Sequence, residues 1–171
     1  MAFSEPDDWL QVDASLGFER PELVAMLALW RDRCRDGRLP ARADFEPRDF
    51  AGHLGWIVLA DVEQQPLRFR YRLIGTQVTA MAGRDMSGRY LDEIYPPEIL
   101  RIVTAGYRAA MDLRQPVRVH GFFRQVDRSY LSLESLELPL ATDGYTVDML
   151  MIRDCIALAG ENRPALATAA E

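Results

Sequence analysis

One histidine and one glutamate could support acid–base chemistry if neighbouring strands bring them together. His120 and Glu134 fall in consecutive predicted strands, and an imidazole beside a carboxylate is a common general acid–base pair. A lone strand histidine is more often a surface or hydrogen-bonded residue. A small enzyme that uses this pair is therefore an alternative hypothesis, and we expect the protein not to be an enzyme.

A second set of side chains could surround a small apolar ligand. Methionines and aromatic residues recur in several predicted elements, and the set comprises Phe69, Tyr71, Met81, Met86, Met111, Met149 and Met151. Methionine adapts to irregular guests, but it is also ordinary packing material in a core. These residues therefore predict either a ligand cavity, which a small-molecule carrier would also need, or an irregular core.

The composition excludes several kinds of site. All 20 cationic side chains are arginine, so no P-loop lysine or Schiff-base lysine is available. Two histidines and the separated Cys34 and Cys155 do not form a metal-binding pattern, and free thiols suit a reducing compartment. A net charge of −6 argues against a general nucleic-acid binder. We expect no metal and no nucleic-acid partner.

The length and the start of the sequence predict a single cytoplasmic domain. A chain of 171 residues is long enough to bury a core without metals or disulfides. The acidic start, MAFSEPDDW, leads into no apolar signal segment. The longest apolar stretch, Leu23 to Trp30, is much shorter than the ~20 residues of a membrane span. We expect no membrane insertion.

The chain is predicted to begin with a flexible arm and an amphipathic helix. Apolar residues show no sustained periodicity over residues 1–18, whereas they recur at helical spacing over residues 19–37. The stripe of this helix consists of Leu23, Val24, Leu27 and Trp30. Such a face needs burial, either against its own domain or at the seam of a homodimer. The sequence leaves both places open for the helix, and we expect the protein to form a homodimer.

Residues 38–158 are predicted to form the main domain, and the Ala-rich segment 159–171 a flexible tail. Its patterns predict two strands, Trp56–Val62 and Leu67–Leu73, then short helical turns over 75–95 and one long helix over 96–114. Three more strands follow, Val117–Val126, Tyr130–Ala141 and Tyr145–Ala157. Asp143-Gly144 predicts a hairpin turn. Arg68, Arg70 and Arg72 share one strand face and suggest a weak docking strip for a partner.

Three segments resemble a known family. They are Leu67-Arg-Phe-Arg-Tyr-Arg-Leu-Ile-Gly75, Gly83-Arg-Asp-Met-Ser-Gly-Arg-Tyr-Leu-Asp-Glu93 and Glu137-Leu-Pro-Leu-Ala-Thr-Asp-Gly144. Together with the element order they are similar to the bacterial single-domain PAS family called PAS_5. The resemblance implies an α+β PAS fold, with a five-stranded antiparallel sheet in the order 2-1-5-4-3 and helices over one face.

The resemblance also implies a function. PAS domains sense small ligands, redox state or light in a cavity between sheet and helices, or pair with proteins. Haem-binding members usually take a histidine from the long helix, and light-sensing members carry an Asn-Cys-Arg core; both are missing here. We therefore expect a stand-alone regulatory module without haem or flavin, which acts on a protein partner and holds at most a small apolar ligand.

Overall fold

A computed structural model describes residues 10–124 and 130–158 of the protein. The secondary structure within these ranges consists of six strands and five α-helices, with short 3-10 turns between Arg42 and Trp56. In chain order the elements are β1 (Leu10–Asp13), α1 (Pro21–Arg33), β2 (Ile57–Gln64), β3 (Leu67–Ile74), α2 (Thr76–Ala82), α3 (Leu91–Ile94), α4 (Pro97–Val103), α5 (Ala105–Leu113), β4 (Val117–Arg124), β5 (Tyr130–Leu140) and β6 (Met149–Leu158).

The strands form one antiparallel sheet in the order β1-β4-β5-β6-β2-β3. The five strands from β2 onward have the order expected from the family resemblance, so the α+β PAS fold is confirmed. The sixth strand is β1, which pairs with β4 at the sheet edge. The predicted flexible arm over 1–18 is therefore wrong for Leu10–Asp13, because backbone pairing fixes these residues. Residues 1–9 and the predicted tail 159–171 lie outside the described ranges.

Helix α1 covers one face of the sheet and α5 covers the other. The backbone N–H groups of Glu19 and Arg20, just before α1, donate to the Glu134 carboxylate, whereas α5 approaches Glu137 at Gly106. Because alternate strand residues point to opposite sides, Glu134 and Glu137 of β5 lie on opposite faces. We call these sides the α1 face and the α5 face. Both sides are covered, so β5 carries buried side chains on both of its faces.

The α1 stripe packs within its own chain. Leu23, Leu27 and Trp30 are buried, and α1 lies against β5 and β6. Val24 is 52 % exposed and lies away from this contact. Leu23, Leu27 and Trp30 therefore pack within the chain, which is one of the two alternatives that the sequence leaves open.

The indole of Trp30 also fixes α1 to β5. Its Nε1 donates a hydrogen bond of 3.0 Å to the buried carbonyl oxygen of Pro139. The substitution Trp30→Phe keeps an aromatic ring but removes the indole N–H and some buried volume. It leaves this carbonyl without a donor, which should alone cost about 1–3 kcal/mol of unfolding free energy. Urea denaturation measures the loss; an unchanged midpoint would show that the bond does not stabilise the helix contact.

Several predicted boundaries move for local reasons. Helix α1 ends at Arg33 rather than near Gly37, because Asp36 and Gly37 adopt positive φ angles in a turn closed by the Arg38 N–H and the Arg35 carbonyl. The long helix predicted over 96–114 is interrupted at Thr104, whose hydroxyl donates to the Leu100 carbonyl, a contact that bends helices.

The turn between the last two strands is longer than predicted. Asp143 and Gly144 do turn the chain, with the Asp143 carboxylate accepting from the N–H groups of Tyr145 and Thr146. Strand β6 nevertheless begins only at Met149.

Candidate functional site

A group of buried and half-buried polar side chains lies on the α5 face, between the sheet and the helices. It comprises Glu137 from β5, Asp154 from β6, Tyr71 from β3, Tyr107 from α5 and Tyr95 from the segment between α3 and α4. We call it the acidic–tyrosine cluster. Strand pairing places its two acids on the same face, since Glu137 is opposite Ile152 and Ser135 is opposite Asp154. The sheet and α5 therefore supply both its charge and its aromatic rings.

Glu137 is the most deeply buried acid of the cluster. It is 4 % exposed, and its Oε2 atom has no hydrogen-bond partner. Burial, and next the nearby charge of Asp154, raise the pKa of Glu137 well above its usual value. These surroundings favour the neutral carboxylic acid form of Glu137, because an ionised carboxylate without a partner is costly there.

Asp154 is the second acid, and it titrates close to neutral pH. Burial raises its pKa to about 6, although the Ser135 hydroxyl and the charge of Arg153 act in the opposite direction. The side chain of Arg153 itself contacts His53 and Cys155 on the α1 face. The cluster therefore contains two carboxyl groups that can each gain or lose a proton when their surroundings change.

The aromatic rings form the wall of the cluster. Phe69 and Tyr107 meet edge to face with ring centroids 5.4 Å apart, and the hydroxyl groups of Tyr71, Tyr95 and Tyr107 interact with one another. Burial raises the pKa of Tyr71 and of Tyr107 well above the usual value. These phenols remain neutral, so they offer hydrogen bonds and π faces rather than charge.

Gly106 allows α5 to approach Glu137 closely. A Cβ atom at this position would overlap Oε2 of Glu137 and lie 2.5 Å from Cγ2 of Val119. The substitution Gly106→Ala should therefore displace the Glu137 side chain and lower the unfolding free energy by about 1–3 kcal/mol. Chemical denaturation tests this, with Ala105→Gly, at the exposed neighbouring position, as the comparison; a more stable Gly106→Ala variant would contradict the close approach.

The structure divides the predicted ligand residues between the two faces. Phe69 and Tyr71 lie at the cluster, and Met86 accepts a hydrogen bond from the Tyr95 hydroxyl on its sulfur. Met81 on α2 and Met111 on α5 are partly buried. Met149 and Met151 pair with Leu140 and Leu138, so they face α1 rather than the cluster. Met149 lines a cleft on that face, together with Arg70 and Arg72.

Glu134 and His120 are directly paired across β4 and β5, as the enzyme hypothesis required. The Glu134 carboxylate is nevertheless fully engaged. Its Oε1 accepts from Arg118 Nε at 2.7 Å and from the Glu19 N–H at 2.9 Å, and its Oε2 accepts from the Arg20 N–H at 3.0 Å. Glu134 thus holds the start of α1 and pairs with a buried guanidinium, which leaves no free oxygen for acid–base work.

The predicted arginine strip on β3 is neutralised by its own neighbours. Arg70 and Arg72 both bind the Asp61 carboxylate at 2.8 Å, and Arg68 makes two bonds of 2.7 Å to Asp92. Arg70 and Arg72 line a cleft of about 550 Å³ on the α1 face. The charged side chains of Arg70, Arg72 and Asp61 in this cleft pair with each other, although the Nε atom of Arg70 is buried without a hydrogen-bond partner.

Two more findings concern ions and membranes. Across residues 10–124 and 130–158, no three His, Cys, Asp or Glu side chains are grouped so that they could hold a metal ion. In the same part of the chain, no helix has the length and hydropathy needed to cross a membrane.

Comparison with protein families identifies the fold family. The PAS domain model PAS_5 matches residues 18–151, which is more than half of the chain. The protein belongs to the PAS_5 family of PAS domains. PAS domains are generally sensory modules, and the acidic–tyrosine cluster lies where this PAS domain packs helices against its sheet. No curated protein sequence matches the chain.

Solved structures with a similar fold include two light-oxygen-voltage proteins. An RNA-binding light-oxygen-voltage receptor is 13 % identical with a TM-score of 0.45; the match covers 88 % of this PAS domain chain and 39 % of the receptor chain. A variant of RsLOV is 11 % identical with a TM-score of 0.46, covering 85 % of this chain and 73 % of the other. The chain thus spans well under half of the receptor.

Sequence reasoning missed Glu137, Asp154, Tyr95 and Tyr107 as site residues. Glu137 stands between leucines in β5, and Asp154 follows an apolar run in β6. An acid within an apolar run of a strand is the available signal for a buried carboxyl. It becomes a site only when the pairing of β5 with β6 brings the two acids to one face.

Proposed function

We propose that this PAS domain senses a small molecule bound at the acidic–tyrosine cluster and reports it through contact with a partner protein. The observation that carries the proposal is the buried Oε2 atom of Glu137 without a hydrogen-bond partner. Leaving such an atom unpaired costs about 1–3 kcal/mol, and most buried polar atoms in proteins are paired. A ligand at the cluster would supply the missing partner.

The packing of α5 supports a route from the cluster to the surface. Helix α5 carries Tyr107 and contacts β1, β4 and β5. A ligand that binds more tightly to one position of α5 would shift the population towards that position. The shift would reach β1 at the sheet edge, where Val12 is exposed. This edge is our proposed contact region for the protein partner.

The positions of the histidines and cysteines support an input other than haem or light-activated flavin. His120 shares the α1 face with Glu134, and His53 contacts Arg153 on that face. Cys155 is opposite Glu134 in the sheet, and Cys34 follows α1. No imidazole or thiol of the described residues thus approaches the cluster. We predict an absorption spectrum of the purified protein without haem or flavin bands; either band would contradict this.

The homodimer stays a prediction. Light scattering of the purified protein at several concentrations tests it directly. The three buried α1 residues do not contribute to such a seam. A carrier without signalling would use the same cluster, and it would differ from a sensor in having no ligand-dependent protein partner.

Native mass spectrometry tests the proposed ligand. The protein is incubated with a deproteinised small-molecule extract, freed of unbound material, and weighed in native and then denaturing conditions. We expect an excess mass of a few hundred daltons or less that is lost on denaturation. A bare protein in both conditions would contradict ligand sensing.

A further inference from the structure

We propose that the ligand of the acidic–tyrosine cluster is a small organic ammonium ion, held by Glu137 and Asp154 and enclosed by the tyrosine rings. This inference rests on the proposed function and adds the chemical class of the ligand.

The first argument is the charge of the cluster. Among the residues that the structure describes, neither the Glu137 nor the Asp154 side chain lies in an ion pair, although other buried acids such as Glu134 and Asp61 are paired with arginine. A buried and a half-buried carboxyl group without an ion-pair partner attract a positive group and disfavour an anionic one. The Oε2 atom of Glu137, which packs against Gly106 of α5, has no hydrogen-bond partner, so α5 must move slightly for a guest to reach it.

The surrounding charged groups leave the centre of the cluster without a cation. Arg153 is next to Asp154 in sequence, but its guanidinium points to the α1 face, where it meets His53. Arg84 acts on Tyr95, and Arg108 lies 5.9 Å from the Phe69 ring centroid, yet both side chains are exposed. These arginines therefore lie around the cluster and do not take the place of a bound cation.

The second argument is the aromatic wall. Phe69 and Tyr107 meet with their ring planes at 74°, and Tyr71 lies beside Tyr107. Rings at steep angles offer faces to a guest from more than one side, and π faces attract cations, above all alkylated ammonium groups. Carboxyl groups together with such rings fit an organic ammonium ion better than a metal ion, which needs several oxygen ligands.

Binding of a cation should also move protons. An ammonium ion favours the ionised form of both acids, so whichever of Glu137 and Asp154 is still protonated would release its proton to solvent as the ligand enters. Affinity should therefore rise with pH, since less work is needed to ionise the acids at higher pH. The raised pKa values of both carboxyl groups agree with this expectation.

Calorimetry with matched probes tests the inference. The full chain is titrated with methylammonium, trimethylammonium, tetramethylammonium and choline, and with 3,3-dimethylbutan-1-ol, the neutral carbon analogue of choline. We expect at least one ammonium ion to bind, choline to bind about tenfold or more tightly than its neutral analogue, and affinity to be higher at pH 8 than at pH 6. Titrations in two buffers of different ionisation enthalpy should show proton release.

Two variants on the same strand separate the two faces. Glu137→Gln should weaken ammonium binding by about tenfold or more, whereas Glu134→Gln, on the α1 face, should leave it unchanged even though it lowers stability. If Glu137→Gln does not fold, the proton release of the wild-type protein remains a sufficient test, because it needs no variant.

Failure of the inference differs from failure of the proposed function. Binding of none of the four ammonium ions, equal affinity for the neutral analogue, or full affinity in folded Glu137→Gln would each overturn the ammonium assignment. If native mass spectrometry still finds a bound mass that Glu137→Gln loses, the cluster binds a ligand of another class. A bare protein in that experiment overturns both.

Discussion

The unfolding free energy of this PAS domain is expected to fall as the pH rises from about 4, and the substitution Glu137→Gln should remove part of that fall. Both acids of the cluster have a folded pKa above the ordinary value, which is 4.5 for Glu137 and 3.8 for Asp154. The stability that each contributes is complete below the ordinary pKa and is lost as the pH rises through the folded pKa.

The size of the fall follows from the pKa values. For Asp154 the loss runs from pH 3.8 to about 6, or about 3 kcal/mol at about 1.36 kcal/mol per pKa unit. For Glu137 the loss continues to higher pH. Exposed carboxylates act in the opposite sense: hydrogen bonds hold the pKa of Asp85, Asp143 and others below the usual value, so their contribution is lost only in more acidic solution. The most stable pH should therefore lie near 4–5.

Urea denaturation at pH 5, 6, 7 and 8 measures this profile. The wild-type protein should lose stability across the series, and Glu137→Gln and Asp154→Asn should each show a smaller slope. Glu134→Gln, on the opposite face of β5, should have a lower unfolding free energy at every pH but the same dependence on pH as the wild-type protein. A Glu137→Gln variant that keeps the full wild-type slope would contradict the raised pKa of Glu137.

The substitution Glu134→Ala is expected to lower the unfolding free energy by about 3 kcal/mol or more. The side chains of Glu134 and Arg118 are 10 % and 11 % exposed, and their ion pair is 2.7 Å long. Among the residues that the structure describes, removing the carboxylate leaves the buried Arg118 guanidinium with the longer contacts to Asp13 at 3.5 Å and Glu19 at 3.9 Å. It also frees two N–H groups at the start of α1.

A double-mutant cycle separates the ion pair from the helix contact. Arg118→Met removes the unpaired cation, so the double variant should recover part of the stability lost in Glu134→Ala. The remaining loss then reports the contacts of Glu134 with Glu19 and Arg20. A loss below about 1 kcal/mol in Glu134→Ala would indicate a surface-like ion pair and would contradict its role in fixing α1.

The sequence predicts the element order well because most elements have one solvent-exposed side and one buried side. In β3 the alternation of Leu67, Phe69 and Tyr71 with arginines correctly indicates which residues face the core. The alternation fails at Leu73, which is exposed, because the pairing of β2 with β3 shifts between Leu59 and Ala60. Such a bulge inserts one residue and reverses the faces beyond it.

The sequence does not indicate the faces of β6, because both are buried. Met149, Leu150, Met151 and Ile152 are all inaccessible, so the strand is a continuous apolar run without a period of two. Only the pairing with β5 assigns Met149 and Met151 to the α1 face. For the same reason the sequence could not place Asp154 beside Ser135 and Glu137.

The short edge strand and the position of α1 depend on distant contacts. Leu10–Asp13 is only four residues long and is held by β4, more than 100 residues later in the chain. The apolar stripe of α1 predicts that one face of the helix is buried, but it does not indicate which surface of the protein covers that face. The contacts of Trp30 with Pro139 and of Arg20 with Glu134 supply that information.

Amide NMR is the most direct test of the claim that ligands act at the α5 face. Spectra of the isotope-labelled protein are recorded before and after addition of a deproteinised small-molecule extract. We predict that the shifted signals belong to α5 and to residues around Ser135, Glu137 and Asp154, and that Glu137→Gln loses these shifts. Signals that move only in α1 and the following turns, or no change at all, would contradict the account.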